Sequence, residues 1–440
     1  VSTLELEVVM AGRRAGRVSS ASGRLRLRYH DAYRGAESPT PLSVNLPVQI
    51  AEHGHDAVSS FLWGLLPDND RVLRRWARTY QVSAANPASL LSSPVGIDCA
   101  GAVQFVGPHD VDEVLAAEGH VDWLTEAELA GRLRELARDG TDWLGERIKA
   151  GHFSLAGAQS KTALRYDMAS GRWGTPHGPE PTTHIIKPGV AGFDDLALNE
   201  HLCLAAARNL GLRSARSRVV RFEDQVAVAV ERFDRYRMGG TVRRIHQEDL
   251  CQALGVHPES KYQQDGGPSP EDIAALLDRV LPPATAEDAR LRFVDALAFN
   301  WLIGATDGHA KNFGLLLSGS QIRFAPLYDI ASMLPYEHDA KQLKLAMKIG
   351  GEYRFKAIGP RSWDKLADAL AISSQALLER ARHLAMQLPD AIADAAATQD
   401  VTELHSDVPS RLIDRAADHA GRCRTSIERH LARQEPNISA

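Results

Sequence analysis

The stretch Trp301-Leu-Ile-Gly-Ala-Thr-Asp-Gly-His-Ala-Lys-Asn-Phe313 decides how this chain is read. Before it runs a segment, 287–303, that carries Leu291, Val294, Leu297, Ala298 and Trp301 on one helical face. After it come two short apolar runs, 313–317 and 322–324, around a Ser-Gly-Ser turn. A buried helix, a polar loop and a hairpin therefore follow one another. Asp307 and Asn312 stand five apart on the loop, with His309 and Lys311 between them. A lone Asp-Gly is ordinarily a turn, so this pair needs company before it carries chemistry.

Company is present. Phosphoryl transfer needs a carboxylate to orient the attacking hydroxyl and take its proton, oxygen ligands for magnesium, and cations on the phosphates. Protein kinases space the base and a metal-binding Asn five apart on one stiff loop. Asp307 and Asn312 reproduce that spacing, and His309 and Lys311 are placed to contact the base or the γ-phosphate. Asp329, in Pro326-Leu-Tyr-Asp-Ile330, follows across the hairpin. Asn312, Asp329 and ATP would make the oxygen set that Mg2+ prefers. Lys187 ends a strand at 183–187, and Glu200, early in the next helix, is placed to hold it by a charge-assisted bond. Alone, each has an ordinary reading as a turn, a cap or a solvated lysine. In this order and spacing they point together to a kinase.

The glycine-bearing segment 153–162 is neither a Walker A loop nor Gly-x-Gly-x-x-Gly. Its small residues would still let backbone N–H groups approach phosphates. By itself it is a weak signal.

The rest of the chain frames this centre. Its 440 residues suggest two or three units. Residues 1–107 read as a small strand-rich domain, in which Leu25, Leu27 and Tyr29 alternate with Arg24, Arg26 and Arg28. Residues 108–150 read as a linker and a helix, opened by a Thr125/Glu128 capping box and ended by Gly140. Residues 151–235 follow as the sheet-bearing ATP lobe, and 236–440 as a mainly helical lobe. Lys plus Arg number 51 against 56 Asp plus Glu, a net charge of −5 that gives no global nucleic-acid signal. The four cysteines are scattered and include no Cys-x-x-Cys pair, which fits a reducing cytosol. No apolar run reaches the roughly 18–20 residues needed to span a bilayer, and no secretion signal opens the sequence, so a cytoplasmic protein without membrane contact is expected.

Longer motifs carry a family resemblance. Ser154-Leu-Ala-Gly-Ala-Gln-Ser-Lys-Thr-Ala-Leu164, Thr182-Thr-His-Ile-Ile-Lys187, Val230-Glu-Arg-Phe-Asp-Arg235, Gln247-Glu-Asp-Leu-Cys-Gln252, Leu343-Lys-Leu-Ala-Met347 and the 301–313 stretch resemble the HipA family. These are serine/threonine kinase toxins of bacterial type II toxin–antitoxin pairs. Pro41-Leu-Ser-Val-Asn-Leu-Pro47 and Leu65-Leu-Pro-Asp68 look like the family's N-terminal domain. The resemblance implies an α+β, two-lobed fold related to protein kinases and phosphatidylinositol kinases, with a small strand-rich domain in front. It implies Asp307 as general base and Asn312 and Asp329 on magnesium. It implies ATP cradled by Ala156, Gly157, Ala158, Gln159, Ser160 and Lys161, with Lys187 on its phosphates and Tyr328 beside Asp329. Adenine would lie on the backbone of Glu231-Arg232-Phe233, with Asp234 near the ribose. Ser154 matches the serine that the family phosphorylates in itself. The implied partners are a small HipB-like DNA-binding antitoxin, operator DNA reached mainly through it, and a tRNA ligase such as glutamate–tRNA ligase as substrate. Ser160 departs from the Glu that relatives often carry, and 362–371 offers only Lys365 against Asp364 and Asp368. Two other classes stand beside this one: a small-molecule or lipid kinase, and a catalytically silent co-repressor.

Overall fold

The computed structural model describes residues 4–148, 159–190, 192–336 and 343–434, the side chains of 139–148 aside. Ser154, Ala156, Gly157 and Ala158 lie outside the described residues. In the N-terminal domain, five strands pair antiparallel in the order Glu52–His53, Arg24–Tyr29, Arg13–Ala21, Leu4–Met10, Val103–Val106. The alternation in Arg24–Tyr29 is realised, with Leu25, Leu27 and Tyr29 buried and the arginines out. Helices His55–Gly64 and Asp70–Tyr80 bury their apolar faces, Phe61, Leu62 and Leu73 among them, in the same core as that sheet.

The segment read as a linker is more than that. It forms a short helix, Val111–Ala116, and a strand, His120–Trp123. The strand is the edge of a second, six-stranded sheet, ordered Ser217–Phe222, Gln225–Glu231, His184–Pro188, Thr162–Tyr166, Trp173–His177, His120–Trp123. The helix after it runs from Glu126 to Ile148 and passes through Gly140. A glycine inside a helix costs only about 1 kcal/mol against alanine, which neighbouring turns outweigh. Leu129 and Leu133 of this helix pack on Leu164, Ile186 and Ala229 of the sheet.

Leu196–Asn209 is buried over nearly its whole length and shares a core with the C-terminal helices Ser374–Ala396 and Val408–Gln434. Through the same core passes Pro283–Ile303, whose last eleven residues, Phe293 to Ile303, are all buried. A helix enclosed on all sides is a rigid post, and its end carries the polar loop. Gly304 closes it at φ +72°, in the left-handed region, with the Ala305 N–H bonded back to the Asn300 carbonyl at 2.9 Å. A Cβ on Gly304 would sit 2.6 Å from the Leu334 side chain, so conformation and packing both select glycine here. The hairpin expected after the loop is Gly314–Ser318 and Gln321–Phe324, joined by a third strand, His246–Asp249. Among the described residues no helix is long and apolar enough to cross a membrane.

Candidate active site

The loop after Gly304 is held by its own backbone. The His309 N–H donates to the Asp307 carbonyl at 2.8 Å, and the Asn312 N–H to the His309 carbonyl at 2.9 Å. The Asn312 side-chain nitrogen donates to the Asp307 carbonyl at 2.8 Å. The Asn312 side-chain oxygen is the atom that could meet a cation. The two functional ends of the loop are thus tied to each other, which the five-residue spacing alone does not require. Asp307, Asn312, Glu200, Gln159, Tyr328 and Asp329 all line one cleft.

Lys187 sits opposite, in the middle of the six-stranded sheet, paired to Val228 in register. It is buried, and its ammonium donates to Glu200 Oε1 at 2.7 Å and to Asp329 Oδ1 at 2.5 Å. Burial by itself would strip this proton; Asp329 and Glu200 outweigh it and hold the lysine above its ordinary range. The two carboxylates part ways. Burial raises Glu200 against the pull of Lys187. Asp329, although burial opposes, is driven below the usual range by Lys187 and Lys161. Asp329 also adopts φ +58°, a left-handed backbone that only a few non-glycine residues here share. Such strain is of order 1–3 kcal/mol and gathers at functional sites. Asp329 and Asn312 offer oxygen donors alone, the chemistry that suits Mg2+ rather than a softer metal.

Lys161 is exposed but near enough to Asp329 to act on its charge, and Gln159, two residues before it, donates to the Pro188 carbonyl at 3.0 Å, tying this segment to the end of the Lys187 strand. Ser160 is half-buried beside them. His309 behaves differently from the expectation of a phosphate contact. It is 1% exposed, and neither ring nitrogen has a hydrogen-bond partner among the described residues. Burial, then Lys261, lowers its pKa to about 3, so it brings no charge to the cleft at neutral pH. Its ring packs edge-on against Tyr262 at 4.9 Å.

The hinge also departs from expectation. Glu231 is exposed at the end of its strand, and the Arg232 N–H is bonded to the Thr183 carbonyl at 2.9 Å. Phe233 stacks obliquely on Tyr328, centroids 5.4 Å apart, and the Tyr328 hydroxyl donates to the Lys311 carbonyl at 2.7 Å. Asp234, expected near a ribose, is 2% exposed and already engaged. It takes Arg232 Nη2 at 2.8 Å, Arg235 Nη1 at 2.9 Å and the Gly101 N–H at 2.7 Å. Its oxygens serve the joint with the N-terminal domain. Gly101 is needed there because a Cβ would meet the Gln247 nitrogen at 2.6 Å.

Several neighbours of the loop escaped sequence reasoning. Tyr262 donates its hydroxyl to Asp307 Oδ1 at 2.7 Å. Asp68, from the N-terminal domain, accepts Lys311 and Lys261, each at 2.6 Å. The only trace of Asp68 in the sequence is its place in Leu65-Leu-Pro-Asp68, and Tyr262 lies in a segment without periodicity.

A two-domain protein whose sheet lysine, paired glutamate and strained aspartate face an Asp/Asn loop defines a phosphate-handling class, and comparison with known proteins supplies the family. Residues 153–392 match the model of the HipA-like C-terminal domain, and 6–106 that of the HipA N-terminal domain. The chain belongs to the HipA family. It is 34% identical over 405 residues to the Sinorhizobium fredii protein Y4mE, covering 91% of this chain and 93% of that one. It is 29% identical over 407 residues to the serine/threonine-protein kinase toxin HipA of Shewanella oneidensis, covering 89% of each. Its fold matches HipA in the solved complex of Shewanella oneidensis HipA, HipB and operator DNA, with a TM-score of 0.78, 25% identity, and coverage of 96% of this chain and 99% of that one.

Proposed function

We propose that this protein is an ATP-dependent serine/threonine protein kinase, the toxin of a type II toxin–antitoxin pair. One observation carries the reading: Lys187 is shared between Glu200 and Asp329 across the cleft from the Asp307–Asn312 loop. Lys187 keeps its charge because two carboxylates hold it, so it stays a cation for the ATP phosphates. Tyr262 holds one oxygen of Asp307 and so orients the carboxylate that would take the proton of an incoming hydroxyl. Asn312 and Asp329 would hold Mg2+, which when bound neutralises phosphate charge. Lys161, Gln159 and Ser160 close the phosphate side, and Phe233 and Tyr328 form the wall toward the hinge, where the Glu231-Arg232-Phe233 backbone, apart from the paired Glu231 and Arg232 N–H groups, would take adenine.

Ser154 is the self-phosphorylation site in this reading. Adding roughly −2 charge beside a phosphate loop repels ATP and switches the kinase off. The protein substrate is a tRNA ligase, with glutamate–tRNA ligase the first to try, and its phosphorylation arrests translation and growth in the cytoplasm, promoting persistence. A HipB-like antitoxin brings the chain to operator DNA, where the two repress their own operon; the Shewanella oneidensis HipA is solved in a complex with HipB and operator DNA.

The test is incubation with labelled ATP and Mg2+, with and without a tRNA-ligase extract, beside Asp307→Asn. Label on Ser154 or on a ligase, absent from the variant, supports the proposal. Transfer to lipid or a small molecule alone replaces it with the second class of kinase, and no transfer at all leaves a silent co-repressor. A pull-down from the native host checks for the antitoxin.

A further inference from the structure

The groups described so far come from the sheet-bearing and helical lobes, with one exception. Asp68 follows the helix His55–Gly64 of the N-terminal domain and bonds outside that domain. Its two oxygens are divided between two lysines of the helical lobe: Oδ1 takes Lys311 and Oδ2 takes Lys261, both at 2.6 Å. All three side chains are largely buried, at 13% exposure for Asp68, 11% for Lys311 and 7% for Lys261.

Each lysine leads to the catalytic loop. Lys311 stands within it, next to Asn312, and its carbonyl accepts the Tyr328 hydroxyl one residue before Asp329. Lys261 is followed by Tyr262, whose hydroxyl holds Asp307 Oδ1. One carboxylate therefore sits at the root of both arms. Take its charge away and two buried ammonium groups lose the carboxylate they share. They would move apart, and each movement is handed on, through Lys311 to the loop backbone and through Tyr262 to Asp307. Displacements near 1 Å at a reacting group are worth on the order of a hundredfold in rate.

Asp68 does not dock the domain alone. Docking has separate bonds: the Val44 N–H to Glu248 Oε1 at 2.8 Å, Gln252 Nε2 to the Phe61 carbonyl at 2.8 Å, and His246 Nε2 to the Leu42 carbonyl at 2.7 Å. We infer that Asp68 is a positioning residue for phosphoryl transfer: the N-terminal domain, through the Lys311–Asp68–Lys261 clamp, sets the catalytic loop and the orientation of Asp307. The inference rests on the kinase reading.

The experiment uses the full chain, comparing wild type, Asp68→Asn, Asp68→Glu and Glu248→Gln. The readouts are self-phosphorylation kinetics with ATP and Mg2+, thermal midpoint, and hydrogen exchange of the 306–313 backbone. For Asp68→Asn the expected kcat loss is at least about tenfold, with KM for ATP within about threefold. Asp68→Glu should recover part of kcat, and the His309 and Asn312 amides should exchange faster in Asp68→Asn. Glu248→Gln, which alters a docking residue without touching the clamp, should keep kcat. Wild-type kcat and exchange in a folded Asp68→Asn would overturn the inference, as would an equal kcat loss in Glu248→Gln. An inactive wild type whose loop amides still respond to Asp68→Asn would sink the kinase reading and leave the clamp standing; unresponsive amides in that case would end both.

Discussion

Two clusters of buried charge hold this molecule together, and they are built to different rules. The first joins Arg232, Arg235, Asp98 and Asp234 where the hinge meets the N-terminal domain. Arg232 donates to both oxygens of Asp234, to Thr182 and to the Cys99 carbonyl; Arg235 donates to the Thr182 and Gly101 carbonyls and to Asp98. Planar guanidinium forks meet fixed acceptors, and no buried side-chain atom of these four residues lacks a partner. The second cluster is the cleft. There one lysine serves two carboxylates, Asp329 carries a left-handed backbone, and His309 is buried with both nitrogens unpartnered among the described residues. Buried charge alone therefore marks nothing. A saturated cluster is a joint; a strained one with valence to spare is poised to take a ligand.

This contrast can be broken by mutation. The largest effect belongs to Asp307→Asn, which should lower phosphoryl transfer by about 10²–10⁴-fold and leave the thermal midpoint nearly unchanged, since Asp307 is only half-buried. Steady-state labelling beside a melting curve checks both halves. Arg232→Met should do the reverse. It takes from buried Asp234 one of its two arginines and leaves Arg235 and the Gly101 N–H, at a cost of up to about 3–5 kcal/mol, while the surviving folded fraction turns over ATP at close to the normal rate. Denaturant unfolding together with activity per folded molecule tests it, and a selective loss of activity would erase the distinction.

The joint also predicts a pH dependence. Burial opposes, but Arg232 and Arg235 hold the Asp234 pKa down to about 2. An unfolded aspartate titrates near 3.9. Its contribution to stability is therefore complete above about pH 4 and is lost as pH falls toward 2. Asp98 shifts in the same direction. Thermal midpoints between pH 2 and 5 should fall with acid in the wild type and fall less steeply in Asp234→Asn, which starts lower. The smallest expected effect lies where the clusters meet. Phe233→Leu removes the ring contact with Tyr328, and a ring pair is worth about 0.5–1.5 kcal/mol. KM for ATP should rise by a few-fold with kcat preserved; a kcat loss would mean that Phe233 belongs to the catalytic loop's support.

The elements around the cleft were legible because their signals are local. The helix before the loop, the Lys187 strand, the Glu200 helix and the hairpin each follow from periodicity and turn residues within their own segments. The linker reading failed for a nonlocal reason. His120–Trp123 becomes a strand only because Trp173–His177 offers an unpaired edge, and an edge leaves no mark on the strand that will fill it. Asp234 misled in the same way. As a polar residue after an apolar strand it looks free for a ligand, and only Gly101 and two arginines, brought in from the neighbouring domain and the next residues, show that it is taken.

The sequence by itself determined the family, the order of the elements and the parts of the cleft, because residue type and short spacing are properties of the chain. Tertiary structure alone decided how charge is shared. It gave Lys187 two carboxylates, His309 a neutral ring, and the Asp307 loop a clamp on Asp68, 243 positions from Lys311. Those outcomes depend on desolvation and on distances of 3 Å or less between remote segments, and neither exists until the chain has folded.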